Sequence, residues 1–140
     1  MEKKTHILVV DDAQYVTKLV ERTLQDAGFD VTVANDGNSA LAILAEREPD
    51  LVLLDIRMPG LDGFQVLERI RKSSDVPVLM LTAVSEENAL ARSMGIGADD
   101  YIEKPFLPRV LVARIRAKLR RIRGELGPPH DQMPDIDSTP

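Results

Sequence analysis

The chain has 140 residues, 44% hydrophobic and 29% charged, which suits one globular domain with a good core and hardly two. Its net charge of -5 argues against general affinity for nucleic acid, so any basic patch must be local. The absence of cysteine excludes disulfides, thiolate metal sites and thiol nucleophiles. The apolar runs are too short to span a membrane and no signal peptide precedes them. We therefore expect a cytoplasmic protein without a membrane partner.

Short apolar runs alternate with amphipathic segments along the chain. The predicted strands are 7–10, 31–34, 51–54, 78–81 and the shorter 101–103. Apolar residues at helical spacing predict helices at 14–27, from 40 to before Pro49, from 64 to about 72, at about 86–94, and from Pro108 onwards. The last helix has an apolar stripe of Leu111, Ile115, Leu119 and Ile122. Five strand–helix units in series predict an α/β fold, a parallel sheet with helices on both faces.

The two ends of the chain differ in character. Residues 1–123 carry the whole alternating pattern and are predicted to form the domain. Residues 124–140 lack periodicity and are rich in Pro and Asp, so they are expected to be a linker or a disordered tail.

Polar residues follow four of the predicted strands. Asp11 and Asp12 end the first strand, Asp55 the third, Thr82 the fourth and Lys104 the fifth. The carboxyl ends of parallel strands share one edge, where ligands bind in such sheets. Three crowded carboxylates repel each other unless a cation lies among them, and hard oxygen ligands suit Mg²⁺. A Lys and a hydroxyl facing this cluster suit phosphoryl oxygens, so the pattern predicts phosphoryl transfer to or from a carboxylate.

Each of these residues has a simpler explanation when taken alone. Asp11 and Asp12 would also serve as caps of the first helix, Lys104 as a surface residue and Thr82 as an ordinary strand threonine. Asp55 would serve as a helix cap too, but Asp62 is closer to the third helix and is the better candidate. The joint pattern at matching strand ends favours the site.

Four motifs carry a resemblance to a known family. They are Val-Val-Asp-Asp, Leu-Leu-Asp-Ile-Arg-Met-Pro-Gly-Leu-Asp-Gly, Leu-Met-Leu-Thr-Ala and Gly-Ala-Asp-Asp-Tyr-Ile-Glu-Lys-Pro-Phe. From about residue 4 to residue 123 the chain resembles the receiver domain of bacterial two-component response regulators. The resemblance implies a sheet with strand order 2-1-3-4-5. It also implies a signalling switch, not an enzyme, that receives a phosphoryl group from a sensor histidine kinase.

The resemblance also implies roles for the acidic residues. Asp55 would be the phospho-acceptor. Asp12, Asp55 and the backbone carbonyl of Arg57 would bind Mg²⁺ directly, and Asp11 would act through a water molecule. Arg57 and Val84 would control access of water to the phosphoryl group. Because neither offers a carboxylate or an amide, slow self-dephosphorylation is expected.

The remaining implied roles belong to the switch. Lys104 would pair with the phosphoryl group, the Thr82 hydroxyl would move onto it, and the Ala83 backbone amide would lie nearby. Tyr101 would then swing inward, and the Lys104–Pro105 bond would be cis. The fourth helix, with only Leu90 and Met94 as a weak apolar stripe, is the candidate moving element.

The motifs are most similar to receivers attached to winged-helix DNA-binding domains. This implies a homodimer in the phosphorylated state and DNA contact only through a C-terminal effector domain that this chain lacks. The chain is expected to be a fragment or a stand-alone receiver. The predicted dimer face lies on the fourth helix, fifth strand and fifth helix and comprises Leu90, Met94, Asp99, Asp100, Val110, Val112, Arg114 and Arg121. One usual charge pair falls on Leu90 and Val110, so an apolar contact is expected there, unless the dimer does not form.

Two other classes of protein share part of this pattern. An aspartyl-nucleophile phosphatase would want a second carboxylate two residues after Asp55, where the chain has Arg57. An interaction module that has lost phosphorylation would not be expected to keep all three acidic residues.

Overall fold

The structure, a computed structural model, describes residues 4–83 and 87–124. Five strands alternate with five helices along the chain. Their bounds are β1 His6–Val10, α1 Gln14–Asp26, β2 Asp30–Ala34, α2 Gly37–Glu46, β3 Leu51–Asp55, α3 Gly63–Arg71, β4 Val78–Ala83, α4 Glu87–Ile96, β5 Asp100–Lys104 and α5 Pro108–Arg123. All strands pair in parallel in one sheet of order β2-β1-β3-β4-β5, which confirms the predicted fold. Among the described helices, none is long and apolar enough to cross a membrane.

The strands β1 and β3 are the most buried strands of the sheet. Every residue of β1 and of β3 is buried, as expected for parallel strands covered on both faces. The edge strand β2 is only partly buried, and just its last residue, Ala34, is fully so. The burial of β1 and β3 fixes their register firmly, so the residues that follow them are held in place.

Helices cover both faces of the sheet. One face forms a hydrophobic cluster that joins strand residues such as Leu8, Leu54 and Met80 to residues of α2, α3 and α4, among them Phe64 and Leu67. The alternate strand residues, including Ile7, Val9, Leu51 and Leu53, are also fully buried. They belong to the opposite face, where α1 packs on β1 and β2 and buries Val20 and Leu24.

The start of α3 agrees with the sequence prediction. Asp62 caps this helix by accepting from the Gln65 N–H, and the Gln65 side chain accepts from the Asp62 N–H in return. This capping box satisfies backbone donors that a helix start would otherwise leave open. Asp62 is therefore the cap, and Asp55 is left for another role.

The helix α4 departs from its predicted apolar stripe. It continues to Ile96, two residues beyond the predicted end, and Gly97 follows with a φ of +128°. Leu90 is only half-buried and Met94 is 45% exposed, whereas the buried positions are Ala89 and Ser93. The Ser93 hydroxyl donates to the Ala89 carbonyl at 2.8 Å, which satisfies it inside the helix. The small residues Ala89 and Ser93, together with Ile96 at the helix end, thus face the core.

The helix α5 belongs to a second compact unit that begins at Phe106. Pro108 is at its start and Gly124 ends it with a φ of 71°, as the sequence signals predict. Leu111, Ile115 and Leu119 are buried. Ile122, predicted on the same stripe, is 53% exposed in the last turn, so that part of the prediction is wrong. Residues 125–140 of the predicted tail lie outside the described part of the chain.

Candidate functional site

The sheet brings the predicted polar residues to one edge. Val10 pairs with Leu54, so Asp11 and Asp55 follow neighbouring strands at the same level. Asp55 in turn pairs with Leu81, and Ala83 with Lys104. The strand register alone therefore places Asp11, Asp55 and Lys104 together, with Thr82 one residue away on β4.

Three carboxylates form the centre of this site. One oxygen from each of Asp11, Asp12 and Asp55 lies within 4.8 Å of the others. Asp11 and Asp55 are buried, at 0% and 5% exposure, whereas Asp12 is exposed. Negative charges this close repel strongly where water cannot screen them.

Lys104 lies within hydrogen-bonding distance of two of these carboxylates. Its ammonium donates to Asp11 Oδ2 at 2.8 Å and to Asp55 Oδ1 at 3.2 Å. Burial alone would lower the pKa of Lys104, but the two carboxylates outweigh burial and hold it above its ordinary value. Lys104 thus stays charged and is not an ordinary surface lysine.

The charges of the cluster do not balance, since three carboxylates lie beside one lysine. Burial, followed by the charge of Asp11, raises the pKa of Asp55 from 3.8 to about 6, against the opposing effect of Lys104. Asp12 adds a smaller effect in the same direction. A second cation would relieve this excess of negative charge, and an all-oxygen donor set with one exposed carboxylate suits Mg²⁺. The residues present therefore fit a divalent cation.

Every polar atom of Asp11 has a hydrogen-bond partner. Its Oδ1 accepts from the Ala13 N–H at 3.0 Å, and its own N–H donates to the Ala34 carbonyl at 3.2 Å. Its carbonyl accepts from Asn35 Nδ2 at 3.0 Å. The N-cap of α1 is Ala13, so neither Asp11 nor Asp12 occupies the cap position and the helix-cap explanation of these two residues is wrong. Asn35 was not predicted, and its only signal in the sequence is an amide side chain directly after β2.

The residues predicted for the switch lie at or near the site. Thr82 is buried, and its hydroxyl donates to the Ala83 carbonyl at 3.3 Å. Tyr101 is partly buried and packs against the hydrophobic cluster. The Lys104–Pro105 bond is cis, as expected. Arg57 is exposed just after β3, and Val84 lies outside the described residues.

The residues predicted for a dimer face differ in their surroundings. Asp99 accepts from Arg71 Nη2 at 3.1 Å and from the Val78 N–H at 2.8 Å, so it is engaged inside the domain. Asp100 accepts from the Tyr101 N–H at 2.8 Å. Met94, Arg114 and Arg121 are exposed, whereas Leu90, Val110 and Val112 are partly buried. Whether these residues form one face stays a prediction.

Comparisons with known proteins agree with this fold. Residues 7–116 match the family described as "Response regulator receiver domain". A "probable transcriptional regulator ycf27" from Porphyridium aerugineum is 48% identical over 120 residues, which cover 86% of this chain and 50% of that protein. A protein of the same name from Guillardia theta is 47% identical over 121 residues, covering 86% of this chain and 48% of its own.

A solved structure extends the comparison to three dimensions. The response regulator receiver domain protein from Methanospirillum hungatei superposes with a TM-score of 0.83 at 29% identity. The alignment covers 89% of this chain and 100% of that one.

The sheet order and the acidic edge define an α/β domain of the receiver type, whose members bind Mg²⁺ at an acidic pocket. The chain belongs to the response regulator receiver domain family, the signalling module of two-component response regulators. It spans about half the length of the two ycf27 relatives.

Proposed function

We propose that this domain is a switch in which Asp55 accepts a phosphoryl group from the phosphohistidine of a sensor histidine kinase. The observation that carries the proposal is the contact of one buried carboxylate with Lys104 inside a cluster of two further acids. The kinase as donor follows from membership of the family, since a phosphohistidine is the donor that two-component signalling provides.

The transfer itself needs an ionised nucleophile and a stabilised phosphoryl group. A carboxylate oxygen of Asp55 forms the new bond to phosphorus while the phosphorus–nitrogen bond of the phosphohistidine breaks. The electron pair of that bond returns to the imidazole, which takes up a proton. Since the pKa of Asp55 is about 6, its carboxylate is largely ionised at neutral pH. Lys104, already beside Asp55 Oδ1, pairs with the charge on the phosphoryl oxygens.

Asp11, Asp12 and Asp55 would hold Mg²⁺ in this proposal, together with the backbone carbonyl of Arg57. When bound, the ion supplies the positive charge that offsets both the repulsion among the carboxylates and the charge of the phosphoryl group. Asp11 would act on the ion through a water molecule, because its Oδ2 is already paired with Lys104 and its Oδ1 with the Ala13 amide.

The phosphoryl group would then act as the signal. It adds about two negative charges beside Thr82, whose hydroxyl donates to the Ala83 carbonyl at a long 3.3 Å. A hydroxyl that gains a stronger acceptor only in the phosphorylated state biases the domain towards that state. The Ala83 amide contributes in the same way, and Tyr101 moves inward into the space that Thr82 leaves. Neither Arg57 nor Val84 activates water, so self-dephosphorylation is slow.

The output is proposed from the relatives. The two ycf27 proteins are named as transcriptional regulators and are about twice as long, so we propose control of transcription through a DNA-binding domain outside this chain. Phosphorylation would promote a homodimer through Leu90, Met94, Asp99, Asp100, Val110, Val112, Arg114 and Arg121. Sedimentation of the Mg²⁺–beryllofluoride form tests this: a dimer is expected, and Leu90→Glu should abolish it. A cytoplasmic location fits a kinase partner and a DNA output.

Intact-mass spectrometry after incubation with Mg²⁺ and acetyl phosphate tests the proposed acceptor. The parent chain should gain one phosphoryl group, Asp55→Asn none, and the exposed control Asp75→Asn as much as the parent. An unmodified parent chain would refute the proposal, and a fully modified Asp55→Asn would move the acceptor elsewhere. Continuous release of phosphate at a high rate would favour an aspartyl phosphatase instead.

A further inference from the structure

Asn35 contacts the acidic site although it is not one of the acids. It follows the last residue of β2, and its side-chain amide donates to the backbone carbonyl of Asp11 at 3.0 Å. The carbonyl can only accept, so the atom of Asn35 that faces it is the nitrogen. The contact links the loop after β2 to the loop after β1, two segments 24 residues apart in sequence.

This hydrogen bond continues the sheet beyond its last regular pair. The ladder between β1 and β2 ends at Val10 and Ala34. One residue further, the Asp11 N–H still donates to the Ala34 carbonyl at 3.2 Å, and the Asn35 amide takes the place of the next strand donor. Both backbone polar groups of Asp11 are therefore held by consecutive residues at the end of β2.

The hydrogen bond from Asn35 also constrains the position of Asp12. The carbonyl that Asn35 holds is part of the peptide group between Asp11 and Asp12, so its orientation determines where the Asp12 side chain begins. The Asp11 carboxylate is buried and already fixed by Lys104 and Ala13, whereas Asp12 is the exposed member of the cluster. Holding that peptide group in place reduces the ordering that a cation would otherwise have to impose on Asp12.

We infer that Asn35 is a positioning residue for the divalent-cation site formed by Asp11, Asp12 and Asp55. The inference rests on the proposed function, because it assumes that these carboxylates bind Mg²⁺. The proposed effect comes from a hydrogen bond to the backbone and not from a charge. One substitution separates the two, because they change the Mg²⁺ affinity in opposite directions. Asn35→Asp removes the donor but adds a negative charge that by itself would attract Mg²⁺.

Titration of the chain with Mg²⁺, followed by amide NMR chemical shifts, measures the affinity directly. Asn35→Ala and Asn35→Asp should both bind Mg²⁺ about three- to fivefold more weakly, the change expected for one partly exposed hydrogen bond. The matched control is Asn38→Asp, which adds the same charge in the first turn of α2. It should bind at least as tightly as the parent. A loss of global stability would not change the affinity of chains that stay fully folded, so the readout reports on position.

Hydrogen exchange without metal gives a second readout. The Ala13 amide, which donates to Asp11 Oδ1, should exchange faster in Asn35→Ala than in the parent or in Asn38→Asp. The inference is overturned if Asn35→Ala binds Mg²⁺ like the parent, or if Asn35→Asp binds more tightly. Failure of the parent chain to bind Mg²⁺ at all would instead refute the metal site of the proposed function.

Discussion

At the scale of single residues, His6 is a buried titratable group far along β1 from the acidic edge. It is 4% exposed, and its Nε2 lies 2.7 Å from the Thr32 hydroxyl. Its Nδ1 is buried without a hydrogen-bond partner within residues 4–83 and 87–124. Protonation would place a charged N–H there unsatisfied, so burial first, and then the charge of Arg47, lowers the pKa of His6 below 6.5. Asp30 and Asp50 oppose this effect.

This burial predicts a loss of stability in mild acid. The unfolded chain takes up the proton near pH 6.5, whereas folded His6 does so only at a lower pH. Between these two pKa values the unfolded state binds more protons, so the free energy of unfolding falls as the pH falls through this window. Urea unfolding at several pH values should show this loss in the parent and much less in His6→Gln. The variant keeps every carboxylate of the parent, so the effect of the carboxylates is the same in both chains. Parallel curves would mean that His6 does not contribute.

Gly63 shows how closely α3 approaches the strand that carries Asp55. Its N–H donates to the Ile56 carbonyl at 2.8 Å, and an added Cβ would lie 2.7 Å from Ile56 Cα and closer still to the Asp55 carbonyl oxygen. Because both obstacles are backbone atoms, they cannot move aside cheaply. A glycine at this position lets the helix begin directly behind the strand that carries Asp55.

Two glycine substitutions should therefore have opposite effects. Gly63→Ala is expected to cost about 3 kcal/mol of unfolding free energy, as overpacking against backbone does. Gly95→Ala, in α4, should stabilise the chain by about 0.5–1 kcal/mol through helix propensity, because in the described part of the chain the added Cβ meets nothing within 4 Å outside its own helix. Denaturant midpoints of the two variants measure the difference, and similar midpoints would contradict the close approach.

At the scale of elements, Arg71 joins the end of α3 to the end of α4. Its guanidinium donates to the Gly97 carbonyl at 3.0 Å, to the Ser74 carbonyl at 3.2 Å and to Asp99 Oδ2 at 3.1 Å. Asp99 Oδ2 also accepts from the Val78 N–H, at the start of β4. A second contact between the two helices is made by Arg92 of α4, which lies 4.1 Å above the ring of Phe64 in α3. The corner after α4 is thus fixed by a planar group with one acceptor in the loop after α3 and two in the loop after α4.

Lysine cannot replace this arrangement although it keeps the charge. Arg71→Lys should lower the unfolding free energy by about 2 kcal/mol, because a single ammonium cannot reach all three acceptors and leaves carbonyl groups unsatisfied. Arg69→Lys, an exposed position on the same helix, should change it by less than about 0.5 kcal/mol. Faster exchange of the Val78 amide in Arg71→Lys alone would locate the loss at Asp99. Equal stability of the two variants would show that the bridge contributes little.

The elements also show which features could be predicted from sequence. The acidic edge and the Asp62 cap were predictable, because strand ends of a parallel sheet converge and a helix cap is a local signal. Asn35 and the Arg71–Asp99 pair were not, because each depends on a contact between segments 24 and 28 residues apart. The apolar stripe of Leu90 and Met94 does not mark the buried face of α4, because the buried positions Ala89 and Ser93 carry too little hydrophobic signal to be seen in the sequence.

At the scale of the whole molecule, repulsion among the clustered carboxylates lowers the stability of the fold that brings them together. The strand register brings Asp11, Asp12 and Asp55 within 4.8 Å of one another, and Lys104 is paired with two of them. In the unfolded chain these charges are far apart and hydrated. The folded state therefore carries a repulsion that a bound cation removes, and the global stability should depend on Mg²⁺.

Thermal unfolding with and without Mg²⁺ tests this balance. Without metal, Asp55→Asn should be more stable than the parent by about 1–2 kcal/mol, because the repulsion relieved exceeds the ion pair lost with Lys104. At ten times its Kd, Mg²⁺ should stabilise the parent by about 1.4 kcal/mol and Asp55→Asn by clearly less. Asp75→Asn, exposed and away from the cluster, should respond to Mg²⁺ as the parent does. If Mg²⁺ does not change the melting temperature of the parent chain, the cluster binds no cation. A metal-free Asp55→Asn less stable than the parent would show that the Lys104 ion pair outweighs the repulsion.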